Sequence, residues 1–283
     1  MPWELLIAIS IVAFAINSLL SRSLMKQTVS DPFAQTVVLF GLGGIVATVI
    51  ALSLGKLHLP TVAQAPYFLL GGAVATIGAV LINKAYKLIE ASEVGILGSA
   101  QKMWSVVGAF IFLGEPFSAL KIIATVVIIT GVIIASWKHH TLKWDKGALF
   151  VIGAGMLFSV ADIAGYYLLQ TMNTFSFTAL GHLFPVILLL AIRPSTIKHL
   201  RFYTKRSNFI KISIQSVFDI TGTFCFFYAY TLAHNASTIT PLTASRVILT
   251  VILGAIFLRE RDNLVKKIIG GLIIVFGSVM LFL

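Results

Sequence analysis

The sequence has 283 residues, of which 58% are hydrophobic and only 11% are charged, and its formal net charge is +11. A water-soluble domain carries about 25% charged residues, so this composition excludes a chain that folds with a wholly water-facing surface. In a membrane protein an excess of positive charge orients the chain in the bilayer, and we do not expect a nucleic-acid partner.

Apolar stretches recur from one end of the chain to the other. About 20 apolar residues in a helix cross a hydrocarbon layer about 30 Å thick. We therefore predict an all-α integral membrane protein with ten transmembrane helices, at residues 4–21, 32–54, 66–88, 92–113, 118–136, 147–169, 174–192, 210–231, 236–257 and 264–283.

One segment occurs twice, at 85–115 and at 229–260. Both copies begin with an Ala-Tyr pair, carry an Ile-Phe-Leu triplet near the end, and close on a glutamate, Glu115 or Glu260. The duplication divides the chain into two five-helix repeats, 1–137 and 144–283. Because five is an odd number, the second repeat enters the membrane inverted, as in secondary transporters whose substrate site lies near the bilayer midplane.

The lysines and arginines between the predicted spans are strongly biased to one side of the membrane. Of 21 cationic residues, 17 lie on the side opposite the termini, while Lys56 and Lys121 lie on the termini's side. Cytoplasmic loops carry the excess of lysine and arginine, so we predict that both termini face outward. The expected location is the plasma or inner membrane.

Four ionisable residues lie well inside predicted spans: Lys102, Asp162, Asp219 and Arg246. Each costs about 3 kcal/mol or more at the bilayer centre, so such residues face a cavity or a partner instead of lipid. We predict that Arg246 and Lys102, from repeat-related helices, bind an anionic group of a substrate. Asp162 and Asp219 are candidate proton-coupling sites. The alternative is two internal ion pairs that neutralise one another.

Polar and aromatic residues near these charges complete the predicted substrate site. Polar side chains can bind a substrate or simply join helices, and aromatic rings can stack on a substrate or serve as packing and interface anchors. His182 is a further proton candidate, with a backbone carbonyl as its alternative partner. The predicted polar and aromatic ligands are Asn17, Gln101, Trp104, Tyr166 and Tyr230.

Both copies have a tyrosine at a helix end, a small polar turn, and a helix that closes in LGE (113–115) or LRE (258–260). They resemble the EamA repeat of the drug/metabolite transporter superfamily. The resemblance covers the whole chain and implies a carrier that moves small metabolites, often amino acids or drugs outward, by alternating access. Sugar-phosphate translocators of that superfamily carry a basic pair in the ninth helix, of which only Arg246 has a counterpart here. Ten-helix relatives are described with both termini in the cytoplasm, which departs from the charge count above.

The sequence carries no signature of catalysis, nucleotide binding or metal coordination. We predict a secondary transporter, not an enzyme, that needs no cofactor or metal and exports amino acids or other small compounds bearing an anionic group. The alternatives are an importer or exchanger, a broad drug exporter in which the charges only pair, and a membrane scaffold without transport. The expected partners are the bilayer, the small-molecule substrate and protons. Because two fused halves complete a pathway within one chain, we expect a monomer.

Overall fold

The computed structural model describes residues 2–99, 101–113, 119–136, 145–234, 239 and 242–280. All regular elements in these ranges are helical. The helices of the first half are α1 (Trp3–Met25), α2 (Pro32–Ser53), α3 (Ala65–Leu88), α4 (Ala91–Gly98), α5 (Gln101–Leu113) and α6 (Ala119–Ser136). Those of the second half are α7 (Lys146–Leu168), α8 (Thr174–Ile192), α9 (Thr196–His199), α10 (Arg206–Ala233), α11 (Arg246–Leu253) and α12 (Leu264–Met280).

Six of these helices are long and apolar enough to cross a membrane: α1, α2, α3, α7, α8 and α10. The predicted all-helical class is confirmed for the described residues, and the count of ten spans stays a prediction. The fourth predicted span contains α4 and α5, with Ala100 between them outside the described residues. The ninth contains a 3₁₀ turn at Thr243–Ser245, then α11, then a π-helical turn at Gly254–Leu258.

Acidic side chains fix the points at which two of the helices begin. Asp31 accepts a hydrogen bond from the Ala34 N–H at 2.9 Å, and the proline that follows Asp31 has the backbone angle that a helix start requires. Asp145 likewise accepts a hydrogen bond from the Ala148 N–H at 2.8 Å, at the start of α7. Each carboxylate satisfies an amide that has no partner within its helix.

Helices at equivalent positions of the two halves pack in equivalent pairs. The first long helix of each half packs on the third long helix of the other, α1 on α10 and α7 on α3. The second long helices, α2 and α8, pack on each other, as do the last helices, α6 and α12. The two halves are therefore joined along most of their length, with α1, α3, α7, α8 and α10 surrounding a central space.

The contact between α6 and α12 depends on small residues. A Cβ placed on Gly270 would lie 2.5 Å from both the Gly131 carbonyl oxygen and the Ala135 Cβ, which is closer than side-chain atoms can approach. Lipid offers no hydrophobic drive for helix association, so backbones that approach this closely gain their stability from van der Waals packing.

A buried carboxylate joins the two halves at one end of the bundle. Glu260, which follows the π-helical turn, accepts a hydrogen bond from Nε of Arg22 in α1 at 2.9 Å. Its second oxygen accepts one from the Ala91 N–H at 2.9 Å, and Arg22 also donates to the Tyr86 carbonyl at 2.6 Å. Burial raises the pKa of Glu260, and the hydrogen bonds from Arg22 and Ala91 offset part of this rise.

A second ion pair lies at the same turn between α3 and α4. Lys267 of α12, only 1% exposed, pairs with Glu90 and donates a hydrogen bond to the Ser92 hydroxyl at 2.9 Å. We call the Arg22–Glu260 and Lys267–Glu90 contacts the inter-half ion pairs. The Arg22–Glu260 contact joins α1 to the segment before α12. The Lys267–Glu90 contact joins the turn between α3 and α4 to α12.

Candidate substrate site

A cavity of about 310 Å³ lies between the two halves. Its walls come from α1, α2, α3, α4, α5, α7, α8, α10 and α11. Small-molecule pockets hold about 300–1,000 Å³, so this cavity suits a compound of few atoms. Much of the wall is aromatic, with rings from Phe14, Phe40, Phe68, Phe158 and Phe177.

Arg246 is the one predicted cationic ligand that the structure describes in full. It begins α11, directly after the 3₁₀ turn, and it lines the cavity. Its Cζ lies 5.6 Å from the centroid of the Phe14 ring, within cation–π range. Among the residues that the structure describes, none forms a hydrogen bond or ion pair with the guanidinium, and Asp162 and Tyr86 interact with it electrostatically without such a contact. Its donors are therefore available to an anion.

Asp162 and Gln101 meet in the wall of the same cavity. Gln101 Nε2 donates a hydrogen bond to Asp162 Oδ2 at 3.1 Å, and the Gln101 carbonyl accepts one from the Ser159 hydroxyl at 3.0 Å. These bonds hold the first residue of α5 against α7, so the predicted ligands Gln101 and Asp162 form one unit. The side chain of Lys102, the next residue, lies outside the described residues.

Asp219 of α10 is held from two sides. Its Oδ1 accepts a hydrogen bond from Asn17 Nδ2 at 2.6 Å, and its Oδ2 lies 3.3 Å from Nε2 of His182. Nδ1 of His182 lies 2.8 Å from the Thr178 carbonyl oxygen. All four residues line the cavity. The structure thus brings together Asn17, Asp219 and His182, three of the residues selected from the sequence.

A chain of buried amides continues from Asn17 away from the cavity. Gln215 Nε2 donates to Asn17 Oδ1 at 2.9 Å, Gln35 Nε2 donates to Gln215 Oε1 at 2.7 Å, and the Tyr203 hydroxyl donates to Gln35 Oε1 at 2.6 Å. We call these four residues the amide chain. Each residue of the amide chain donates to the next one toward Asp219, and Gln215 Nε2 also donates to the Ser21 hydroxyl at 2.6 Å. Burial raises the pKa of Tyr203, which lies in the turn before α10, so this hydroxyl keeps its proton.

Three predicted aromatic ligands lie outside the cavity lining, and their role in substrate binding stays a prediction. Tyr166 is fully buried and packs against Tyr230, with ring centroids 4.4 Å apart and ring planes tilted by 35°, in a core cluster that includes Phe226. Trp104 is 39% exposed on α5. None of the three is among the residues that line the cavity. Packing and surface anchoring, the alternative for aromatic residues in apolar helices, explains their positions.

Comparison with known families agrees with the duplicated architecture. The sequence model of the EamA-like transporter family matches residues 1–137 and 145–283. The chain belongs to the EamA-like transporter family. The resemblance seen in the repeats is confirmed, and the chain is an integral multi-pass membrane protein of this family.

Two further comparisons concern individual relatives of this EamA protein. An uncharacterized transporter of Methanothermobacter thermautotrophicus is 35% identical over 128 residues, which cover 44% of this chain and 36% of that protein. The match therefore spans about a third of the relative's length. A protein of known crystal structure, 14% identical, superimposes with a TM-score of 0.72 over 98% of this chain and 95% of its own. This second likeness concerns the fold alone.

Sequence reasoning missed several residues of this EamA transporter's cavity network. His182 and Asp219 were selected separately, and nothing local to α8 or α10 indicates that they meet. Gln35 and Gln215, both fully buried, could have been selected from the sequence, because amides inside apolar spans need hydrogen-bond partners.

The Thr178 hydroxyl is buried at the cavity wall and has no hydrogen-bond partner among the described residues. In the same ranges, no group of three or more His, Cys, Asp or Glu side chains is placed to hold a metal ion.

Proposed function

We propose that this protein is a secondary active transporter that moves a small metabolite bearing an anionic group by alternating access through the central cavity. The observation that carries the proposal is Arg246, a guanidinium in the cavity wall to which no described side chain is bonded. A cation inside a membrane protein is costly, and it is retained where it has a binding role or a partner.

The cavity suits an amino acid or a small organic acid. Arg246 offers a bidentate site for a carboxylate, while Asp162 and Asp219 supply negative charge for an ammonium group in the same space. The Thr178 hydroxyl offers a further hydrogen bond near His182. Lys102 remains a second proposed anion ligand, and Asp162 and Asp219 remain the proposed proton-coupling residues.

Alternating access is consistent with two inverted repeats of five spans each. The equivalent helix pairs, α1 with α10 and α3 with α7, support an exchange of roles between the halves as the cavity changes sides. With 17 cationic residues on one side, that side faces the cytoplasm and both termini face outward. We further propose that the protein lies in the cell or inner membrane, works as a monomer and, as is common in the family, exports its substrate.

A broad drug exporter is the second candidate, favoured by the aromatic wall of the cavity. Rings from Phe14, Phe40 and Phe158, together with the two carboxylates, offer a surface for an apolar cation. A membrane scaffold without transport is the weaker alternative, because a scaffold would close the space around Arg246.

Thermal unfolding of the purified protein in detergent separates these functions. We would add L-glutamate, malate and inorganic phosphate as anions, L-leucine as a zwitterion, glucose as a neutral compound, and tetraphenylphosphonium as an apolar cation. A ligand at 100 times its dissociation constant adds about 2.7 kcal/mol to the free energy of unfolding, which raises the midpoint measurably. We expect compounds with a carboxylate or phosphate group to stabilise the protein.

The Arg246→Ala variant should fold and lose that response. Arg201→Ala is the matched control, because Arg201 is exposed in the turn before α10 and should leave the response intact. Stabilisation by tetraphenylphosphonium alone would support drug export, and an anion response that survives in Arg246→Ala would remove Arg246 from the substrate site.

A further inference from the structure

The geometry of the contact between His182 and Asp219 indicates which atoms of the two side chains carry hydrogen. His182 is 3% exposed and Asp219 is 7% exposed, so the pair is shielded from bulk water on all sides except the cavity. Nδ1 of His182 faces the Thr178 carbonyl at 2.8 Å, and Nε2 faces the Asp219 carboxyl at 3.3 Å. Both ring nitrogens therefore face oxygen atoms.

The Thr178 carbonyl determines which nitrogen carries hydrogen. A carbonyl oxygen only accepts hydrogen bonds, so Nδ1 must donate and carries a proton. In a neutral imidazole, Nε2 then has a lone pair, which would repel an ionised carboxylate. The observed contact needs one more proton between Nε2 and Oδ2, held either as imidazolium beside carboxylate or as neutral imidazole beside carboxylic acid.

The other carboxyl oxygen of Asp219, Oδ1, already accepts a hydrogen bond. Asn17 donates to Oδ1 at 2.6 Å, and the amide chain fixes the orientation of Asn17, because Gln215 donates to its Oδ1. The tyrosine at the far end, Tyr203, donates in the same direction. Oδ2 is thus the oxygen left to share a proton with His182.

The surroundings of the pair contain no competing partner. Among the described residues, only Asn17 and Thr178 form hydrogen bonds with His182 or Asp219 besides the pair itself. The helix α2, which packs on both α8 and α10, has no charged residue, and Asp162 and Arg246 line other parts of the cavity wall. The remaining titratable groups on the elements packed around the pair are Glu4 and Arg22 on α1, Tyr67, Lys84, Tyr86 and Lys87 on α3, Lys198 and His199 on α9, Arg201 and Tyr203 in the following turn, and Arg206, Lys211, Cys225, Tyr228 and Tyr230 on α10.

We propose that His182 and Asp219 share one exchangeable proton and form the proton-binding site of this carrier. The site opens on the substrate cavity, where both residues line the wall. Release of the proton leaves a lone pair facing a carboxylate, so α8 and α10 lose their polar contact at this point. Proton binding therefore favours the arrangement of α8 and α10 described above. The role in coupling rests on the proposed transport function, whereas the shared proton does not.

Asp219→Asn tests the shared proton without removing its geometry. The amide oxygen can accept from Asn17 and the amide N–H can donate to Nε2, so the variant reproduces the protonated pair and should fold. We would label histidine with ¹⁵N and follow the ring nitrogens by NMR from pH 5 to pH 9, with the His182 signals assigned by their loss in His182→Gln. Exposed His58, replaced in His58→Gln, serves as the control for an ordinary histidine.

In the wild type we expect Nδ1 of His182 to stay protonated and one proton to leave the pair as the pH rises. In Asp219→Asn, His182 should remain neutral with hydrogen on Nδ1 throughout. Hydrogen on Nε2 alone in the wild type, or His182 signals that titrate identically in the two proteins, would overturn the shared proton.

Stability gives a second readout. The amide of Asp219→Asn always offers a donor to Nε2 of His182, whereas the wild type makes this contact only while the shared proton is bound. The difference in unfolding midpoint between the two proteins should therefore depend on pH. A constant difference in unfolding midpoint from pH 6 to pH 9 would contradict the proposal. Neither readout uses a substrate, so the metabolite panel can fail while the proton site stands, or the reverse.

Discussion

At the scale of single residues, Glu260 is a buried carboxylate with a hydrogen-bond partner at each oxygen. One oxygen accepts from Arg22 and the other from the Ala91 N–H, while the residue itself is 9% exposed. Its pKa is raised because burial outweighs these two hydrogen bonds. Keeping Glu260 ionised in this buried position costs free energy. The positive charge of Arg22 offsets part of that cost.

We predict that Glu260→Gln changes how stability depends on pH. The raised pKa means that the folded protein binds a proton more readily than the unfolded chain does. Glu260 therefore stabilises the protein below its ordinary pKa, and this contribution is lost as the pH rises through the folded value. The unfolding midpoint of the wild type, measured against that of Glu260→Gln, should fall as the pH rises from 4 to 8. Exposed Glu4→Gln is the control, and a difference that grows with pH would show that the Arg22 bond dominates.

Individual cavity residues could be predicted from the sequence where the cost of burying polar groups in a bilayer limits their positions. Arg246, Asp162, Asp219 and Asn17 stand out because polar groups inside apolar helices need a cavity or a partner, and the structure places all four at the cavity. The contact of His182 with Asp219 was not predictable, because it depends on the rotation of α8 against α10, 37 residues apart in the chain. Tyr166 went to the core for the same reason, since its pattern in sequence does not distinguish a cavity face from a packed face.

At the scale of helices, the α6–α12 contact shows how closely two backbones approach. Gly131 and Gly270 face each other, and a Cβ on either would lie within 2.7 Å of the other's carbonyl oxygen. At Gly270 the nearest atoms are the Gly131 carbonyl oxygen and the Ala135 Cβ, and neither can rotate away. Any larger residue must separate the two helices.

We predict that Gly270→Ala lowers the free energy of unfolding by about 1–3 kcal/mol relative to Gly153→Ala, the usual cost of overpacking. Gly153→Ala is the matched control, because its Cβ would meet only Leu81 Cδ1 at 3.7 Å, an ordinary contact. Both changes make the same gain in helix propensity, so the difference isolates the clash. Chemical unfolding of the two variants side by side measures it, and equal stabilities would mean that α6 and α12 can move apart without loss.

Helix positions followed from the sequence more readily than helix shapes did. The apolar stretches and the prolines and acids before them located most of the helices, as Asp31 and Asp145 illustrate. The predictions ended α1 at residue 21 and began α10 at residue 210, whereas the helices reach Met25 and begin at Arg206. Polar residues there, such as Arg22 and Asn208, looked like loop residues but are satisfied within the folded protein. The 3₁₀ turn before Arg246 has no signal in composition at all.

At the scale of the whole molecule, the pairing of α1 with α10 and α3 with α7 gives both halves the same neighbours. The predicted distribution of charge does not share this symmetry, because the predicted spans assign 17 cationic residues to one side of the membrane. On this prediction, apolar and small residues determine the fold, and the lysines and arginines of the turns determine the orientation.

We predict that a cysteine at Ser207 is protected from a membrane-impermeant maleimide in intact cells. Ser207 is exposed at the start of α10, and the predicted spans assign it to the side with 17 lysines and arginines. A cysteine at Ala63, exposed before α3 on the other side, should react. Both are made in a Cys225→Ser background, which removes the single native thiol. Labelling at Ser207 with protection at Ala63 would reverse the orientation.

The inter-half ion pairs affect how this end of the bundle could open and let ions leak through the membrane. They lie just beyond Ser21 and Tyr86 of the cavity wall, and Glu260 ties α1 and the start of α4 to the same carboxylate. One contact cannot be released while the other holds without leaving a buried charge or amide unsatisfied. In the proposed transport cycle, this end of the bundle would therefore open as a unit. Such an opening would limit the time during which ions could leak through a partly open end, and so would help to preserve the electrical insulation of the membrane.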